Sequence, residues 1–132
     1  MKTLIAEDEF INRKLISRLM SSYGDVDVTV DGEEVVSAFT LALDEGEPYD
    51  LLCLDIMMPV KDGMIALKEI RKIEEERGIT IGNGGVKIMM TTALSDSKHI
   101  LGAFREGCES YVVKPLTRDK ILAELQKLDL VK

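Results

Sequence analysis

Short apolar runs and amphipathic stretches alternate five times along this chain of 132 residues. Lys2–Ala6 is a short apolar run, stopped abruptly by Glu7-Asp8-Glu9. Between Ile11 and Tyr23, the residues Ile11, Leu15, Ile16, Leu19 and Met20 recur at helical spacing and predict a helix, with Gly24 as its stop. Val26–Val30 is β-branched and alternating, the pattern of a strand. Asp31-Gly32-Glu33-Glu34 offers a capping side chain and acids suited to the positive end of a second helix, which carries Val35, Val36, Phe39, Ala42 and Leu43. Leu51-Leu52-Cys53-Leu54 is apolar without alternation, the mark of a strand buried on both faces of a parallel sheet.

The second half repeats the pattern. A third helix opens at Asp62-Gly63 and turns Ile65, Leu67, Ile70 and Ile73 inward, and Glu74-Glu75-Glu76 reads as its solvated end. Gly78–Gly85 reads as a flexible connector; it lacks the Lys-Ser or Lys-Thr that would make it a nucleotide-binding loop. Val86–Thr91 is a fourth strand, Ser97–Glu106 a fourth helix and Tyr111–Val113 a fifth strand. After Pro115 a last amphipathic helix carries Ile121, Leu122, Leu125 and Leu128. Five strand–helix pairs in this order require right-handed crossovers, so the fold class is α/β, a doubly wound parallel sheet.

Composition narrows the function. The net charge is −7, which lacks the positive field that binding a phosphate backbone demands and argues against nucleic acid as a direct partner. No apolar run is long enough for membrane insertion, and the acidic start is no secretory signal. Cys53 and Cys108 have neither metal-ligand nor disulfide spacing; Cys53 reads as a small core hydrophobe and Cys108 as a loop or helix-end thiol. His99 reads as an exposed helix residue, and Met89 and Met90 as core filler. A cytoplasmic, reduced protein is the expectation.

In a doubly wound sheet, ligands bind beyond the carboxyl ends of the strands. Those ends carry Glu7 and Asp8, Asp55, Thr91 and Thr92, and Lys114. Crowded carboxylates repel one another unless a cation intervenes, and Mg2+ takes hard oxygen ligands of this kind. An ammonium and a hydroxyl at Thr91 or Thr92 add what a phosphoryl group needs for charge stabilisation. A carboxylate can itself be the nucleophile, and Asp55, after the most buried strand, is best placed.

Glu7-Asp8, the run from Asp55 to Gly63, Thr92-Ala93 and the run from Tyr111 to Pro115 together resemble the response-regulator receiver domain of two-component signalling, in order and over essentially the whole chain. The resemblance implies a flavodoxin-like sheet with strand order 2-1-3-4-5. It also implies one receiver domain over residues 1–132 without an output domain, as in chemotaxis-type regulators. By the same resemblance, Asp55 accepts a phosphoryl group from a histidine kinase or phosphotransfer protein. Mg2+ is held by Asp8, Asp55 and the backbone carbonyl of Met57, with Glu7 acting through water. Thr92 is the switch hydroxyl, Tyr111 the aromatic switch residue, Lys114 the phosphate's ammonium, and the Lys114–Pro115 bond is cis. The implied output is a changed surface of the fourth helix, fifth strand and fifth helix, offered to a downstream protein not identifiable from sequence. Catalysis beyond the domain's own phosphotransfer and slow autodephosphorylation is not expected.

Glu7 departs from the commoner Asp, and Met57 and Leu94 are apolar beside the phosphoryl site, which predicts a long-lived phosphoryl-aspartate. Three other functions compete. An aspartyl-phosphate phosphatase needs a second Asp where Met57 stands, and a flavin carrier's phosphate is repelled by Glu7-Asp8-Glu9. A receiver-like scaffold that is never phosphorylated shares every residue of the site.

Overall fold

The computed structural model describes all 132 residues. Five parallel strands form one sheet in the order β2-β1-β3-β4-β5, as expected. The strands are β1 (Thr3–Ala6), β2 (Val26–Thr29), β3 (Leu51–Leu54), β4 (Lys87–Thr92) and β5 (Ser110–Val113). The helices between and after them are α1 (Phe10–Ser21), α2 (Gly32–Asp44), α3 (Gly63–Glu76), α4 (Ser97–Arg105) and α5 (Arg118–Lys127). None is long and apolar enough to cross a membrane.

Strand alternation divides the core into two layers. Leu4, Ala6, Leu52, Leu54, Ile88 and Met90 pack with Val35 and Phe39 of α2, Leu67 and Ile70 of α3 and Ala103 of α4. Ile5, Leu51, Cys53, Met89 and Val112 pack with Ile16 and Met20 of α1 and Ile121 and Leu125 of α5. Every residue of β3 is buried, which accounts for its unbroken apolar run. Helix starts are fixed by side chains: Asp31 accepts from the Glu33 and Glu34 amides, Asp62 from Ile65, Asp96 from His99 and Thr117 from Lys120.

Several expectations need correction. Ile11 is 69% exposed and Ile65 is exposed as well, because a helix lying on a sheet buries a narrower stripe than its apolar spacing suggests; Ala66 fills the position inside. The strand expected over Val26–Val30 forms as β2, and because it is an edge strand Val26 is only half-buried and Val28 exposed. Cys108 lies in the loop between α4 and β5, as expected, but is buried there, and burial pushes both thiols, Cys53 and Cys108, up to about 12. His99 is half-exposed, its ring nitrogen 2.7 Å from the Asp96 carboxylate.

The largest correction is Glu74, only 2% exposed. It continues the buried Leu67–Ile70 stripe by one turn, so its carboxylate points into the molecule. Its Oε1 accepts from Arg71 Nη1 at 2.6 Å and its Oε2 from the Val86 amide at 2.7 Å. Arg71 also donates to the carbonyls of Val86 and Gly107 and pairs with Glu109. This clamp ties α3 to the start of β4 and to the turn before β5. The connector Gly78–Gly85 is structured by the same region: the Asn83 and Gly85 amides donate to the Thr80 carbonyl, and the Ile79 amide donates to that of Glu74.

Removing one partner of a buried pair leaves the other uncompensated. Glu74→Ala is expected to cost about 3–5 kcal/mol of unfolding free energy, against about 0.5 kcal/mol or less for exposed Glu75→Ala. Urea unfolding followed by circular dichroism measures both; equal losses would show that Glu74 is an ordinary surface acid.

Candidate functional site

Parallel register aligns the strand ends. Ala6 pairs with Leu54, Leu54 with Met90 and Thr92 with Val113, so β1 and β3 end level, β4 and β5 run two residues further, and all four open onto the same edge of the sheet. Backbone bonds carry the alignment further: the Asp55 amide donates to the Ala6 carbonyl at 3.0 Å and the Lys114 amide to the Thr92 carbonyl at 2.7 Å. Glu7, Asp8 and Asp55 are brought together, with a carboxylate oxygen from each lying within 4.8 Å of the others. Glu7 and Asp55 are buried and Asp8 is exposed. Asp8 and Asp55 border a cleft of about 370 Å³, lined also by Glu9, Met57, Ala93 and Lys114.

Asp55 is held by both oxygens. Its Oδ1 accepts from the Met57 amide at 3.3 Å and its Oδ2 from Lys114 Nζ at 3.0 Å. The turn after β3 is tight, with the Met58 and Gly63 amides both donating to the Ile56 carbonyl. It passes through Val60, which at φ 69° occupies the left-handed region that a β-branched residue rarely adopts. Gly63 is required here: a Cβ on it would come 1.9 Å from the Asp55 carbonyl oxygen.

Lys114 Nζ also sits 2.9 Å from Glu7 Oε1, an ion-pair contact whose angle leaves that buried oxygen without an aligned hydrogen-bond donor. The other Glu7 oxygen accepts from the Glu9 amide at 3.1 Å. Burial, with the Asp55 charge adding to it, pushes the Glu7 carboxyl up to about 7 against the pull of Lys114. Burial works against the Lys114 ammonium, but its bonds and charge interactions with Glu7 and Asp55 outweigh that and raise it above its ordinary range. Three carboxylates thus crowd together with one ammonium, which pairs with Glu7 and Asp55 but not with Asp8. The donor set is all hard oxygen and over-charged, which fits a small divalent cation.

Thr92 is fully buried; its hydroxyl accepts from the Leu94 amide at 3.4 Å, and Ala93 after it reaches the cleft wall. Thr91 is equally buried, shares the strand face of Met89, and its hydroxyl has no partner. Tyr111 is half-buried, packs on the α2–α3–α4 layer, and donates its hydroxyl to the Leu94 carbonyl at 2.7 Å. Burial pushes that phenol up to about 12. Met57 is exposed at the cleft mouth, and the Lys114–Pro115 bond is cis.

Two site residues escape sequence reading. Arg13 Nη1 donates to the carbonyls of Glu7 and Asp8 at 3.1 and 3.3 Å, bracing the loop that carries both acids. Its only signal is a cation one turn into α1, and backbone acceptors leave no trace in side-chain patterns. Glu9 lines the cleft besides ending β1's acidic run.

Residues 3–126 match the family model of the response regulator receiver domain. The chain is 28% identical over 127 residues to the chemotaxis protein CheY of Listeria monocytogenes, covering 96% of this chain and 97% of that one. It is 28% identical over 123 residues to an osmosensing histidine protein kinase of Saccharomyces cerevisiae, covering 92% of this chain but spanning only 9% of the kinase. Among solved structures it resembles the CheX–CheY–BeF3–Mg complex of Borrelia burgdorferi, with a TM-score of 0.84 at 26% identity over 100% of this chain and 90% of that one.

The Glu7 environment makes stability depend on pH when no metal is added. Folded Glu7 holds its proton to about 7, against 4.5 for an ordinary glutamate, so between these values the folded state binds a proton that the unfolded state has lost. Its contribution is therefore present at low pH and is lost as pH rises through about 7. Urea unfolding in chelator should show this decline for the native chain and a flatter profile for Glu7→Gln; identical profiles would remove Glu7 as its source.

Proposed function

The chain belongs to the response regulator receiver domain family, and from that premise we propose that it is a phosphorylation-controlled signalling switch with Asp55 as its phosphoacceptor. The observation that carries the reading is the Lys114 ammonium lying 3.0 Å from Asp55 and 2.9 Å from Glu7 at the cleft floor. A carboxylate oxygen of Asp55 forms a bond to phosphorus as the phosphorus–nitrogen bond of a donor phosphohistidine breaks. The departing imidazole keeps that bond's electron pair and takes up a proton. The donor is a histidine kinase or phosphotransfer protein.

Asp8, Asp55 and the Met57 backbone carbonyl would hold Mg2+, and Glu7 would act on it through water. Bound there, Mg2+ supplies the positive charge that offsets the phosphoryl oxygens. The over-charged donor set supports that assignment, as does the Mg found with the Borrelia CheY. Lys114 then exchanges part of its contact with Glu7 for a phosphoryl oxygen, and the Thr92 hydroxyl supplies a donor to another. Thr92 and Tyr111 both meet Leu94, one through its amide and one through its carbonyl, so a shift of Thr92 reaches Tyr111 through two hydrogen bonds. The consequence is an altered α4–β5–α5 surface, where Leu101 and Phe104 of α4 are exposed, offered to a downstream protein.

Incubation with Mg2+ and a small acyl phosphate should add one phosphoryl group by intact-mass measurement, and Asp55→Asn should abolish it. Labelling retained in that variant would refute the assignment. Met57 places an exposed apolar side chain at the cleft mouth, where it hinders an approaching water. Met57→Asn should speed loss of the acyl phosphate by about tenfold, equivalent to about 1.4 kcal/mol of barrier; an unchanged lifetime would count against that role.

A further inference from the structure

A second cleft, of about 330 Å³, lies on the flank of α1 that faces the edge strand β2. Its floor is Phe10 and Val28, which are 58% and 48% exposed. Its rim is Arg13, Lys14, Ser17 and Arg18, and no acid lines it. Residues 10, 13, 14, 17 and 18 recur at helical spacing, so one face of α1 presents all the rim cations around one aromatic ring. Arg13 and Lys14 each lie 5.5 Å from the Phe10 ring centre. None of the three cations makes an ion pair with an acid, although the chain as a whole carries a net charge of −7.

An exposed apolar floor inside an unpaired positive rim, on an otherwise acidic molecule, is complementary to one kind of occupant. We propose that this α1–β2 groove docks an acidic segment of a partner protein, with an aromatic or branched aliphatic side chain seated on Phe10 and Val28 and carboxylates on Lys14 and Arg18. Aromatic stacking with flanking cations supplies the anchor, and the opposite charges supply approach rate and register. Arg13 marks the inner limit of the groove. Its guanidinium is already bound to the Glu7 and Asp8 carbonyls, so a docked segment rests against the loop that carries the cleft acids. The groove is separate from the α4–β5–α5 surface and holds whether or not Asp55 is phosphorylated.

The test uses the full chain, without phosphodonor, and a fluorescently labelled short peptide of aspartates and glutamates around two spaced leucines. Fluorescence anisotropy should report saturable binding. The double variant Lys14→Glu, Arg18→Glu should weaken it by about tenfold or more, and Phe10→Ser by a similar factor. Lys68→Glu with Lys72→Glu, the same charge change on the exposed face of α3, should leave it within about twofold. Circular dichroism confirms that each variant is folded. Absence of binding, or equal loss in the two charge-reversed pairs, overturns the proposal. So does self-association in sedimentation that Lys14→Glu, Arg18→Glu abolishes, which would make a second copy the occupant. Capture by phosphatidylserine vesicles with no response to the peptide overturns it in favour of a lipid surface.

Discussion

Three carboxylates within a few ångströms of one another and a single ammonium among them set the terms for this molecule. Such a group cannot be fully ionised and dry at the same time without further positive charge. The fold tolerates it because β1 and β3 end level with each other while β5 runs two residues further, so Lys114 reaches both Asp55 and Glu7. Much nearby detail serves that alignment. Gly63 lets α3 begin against the Asp55 carbonyl, and Arg13 braces the Glu7–Asp8 backbone from outside. What remains uncompensated is the capacity to bind: a surplus of negative charge beside a cleft, with three carboxylates and one ammonium to offset them.

The opposite end of the sheet is built on the reverse logic. Arg71 and Glu74 are as buried as the cleft groups, but every strong donor and acceptor there has a partner within the chain. A saturated clamp rigidifies, and an unsaturated cluster responds. The two ends share β4 and β5, so the polar network at the starts of these strands holds in place the backbone that presents Thr92 and Lys114 at their far ends.

The amino-acid pattern carries the fold and the cleft because both depend on strand ends, and strand ends are visible as an apolar run meeting a charge. Glu7, Asp55 and Lys114 each follow such a run directly. Glu74 was hidden because hydrophobic spacing treats a carboxylate as a boundary, whereas here it is a helix position like Leu67 and Ile70 with its own partners. Arg13 was hidden because carbonyl acceptors belong to no side chain. Ile11 and Ile65 misled for a geometric reason, since apolar periodicity gives the direction of a buried face and not its width. The groove beside α1 was unreadable for a similar cause: its cations are ordinary in sequence, and only the placement of β2 makes an aromatic floor between them.

The two buried thiols lie in different layers, Cys53 beneath α1 and α5 and Cys108 among α2, α3 and α4. Neither meets solvent while its layer is closed, and burial keeps both protonated and so unreactive at neutral pH. The chain therefore carries a chemical clock in each half of its interior, and the order in which the two sulfurs alkylate would time the opening of one layer against the other.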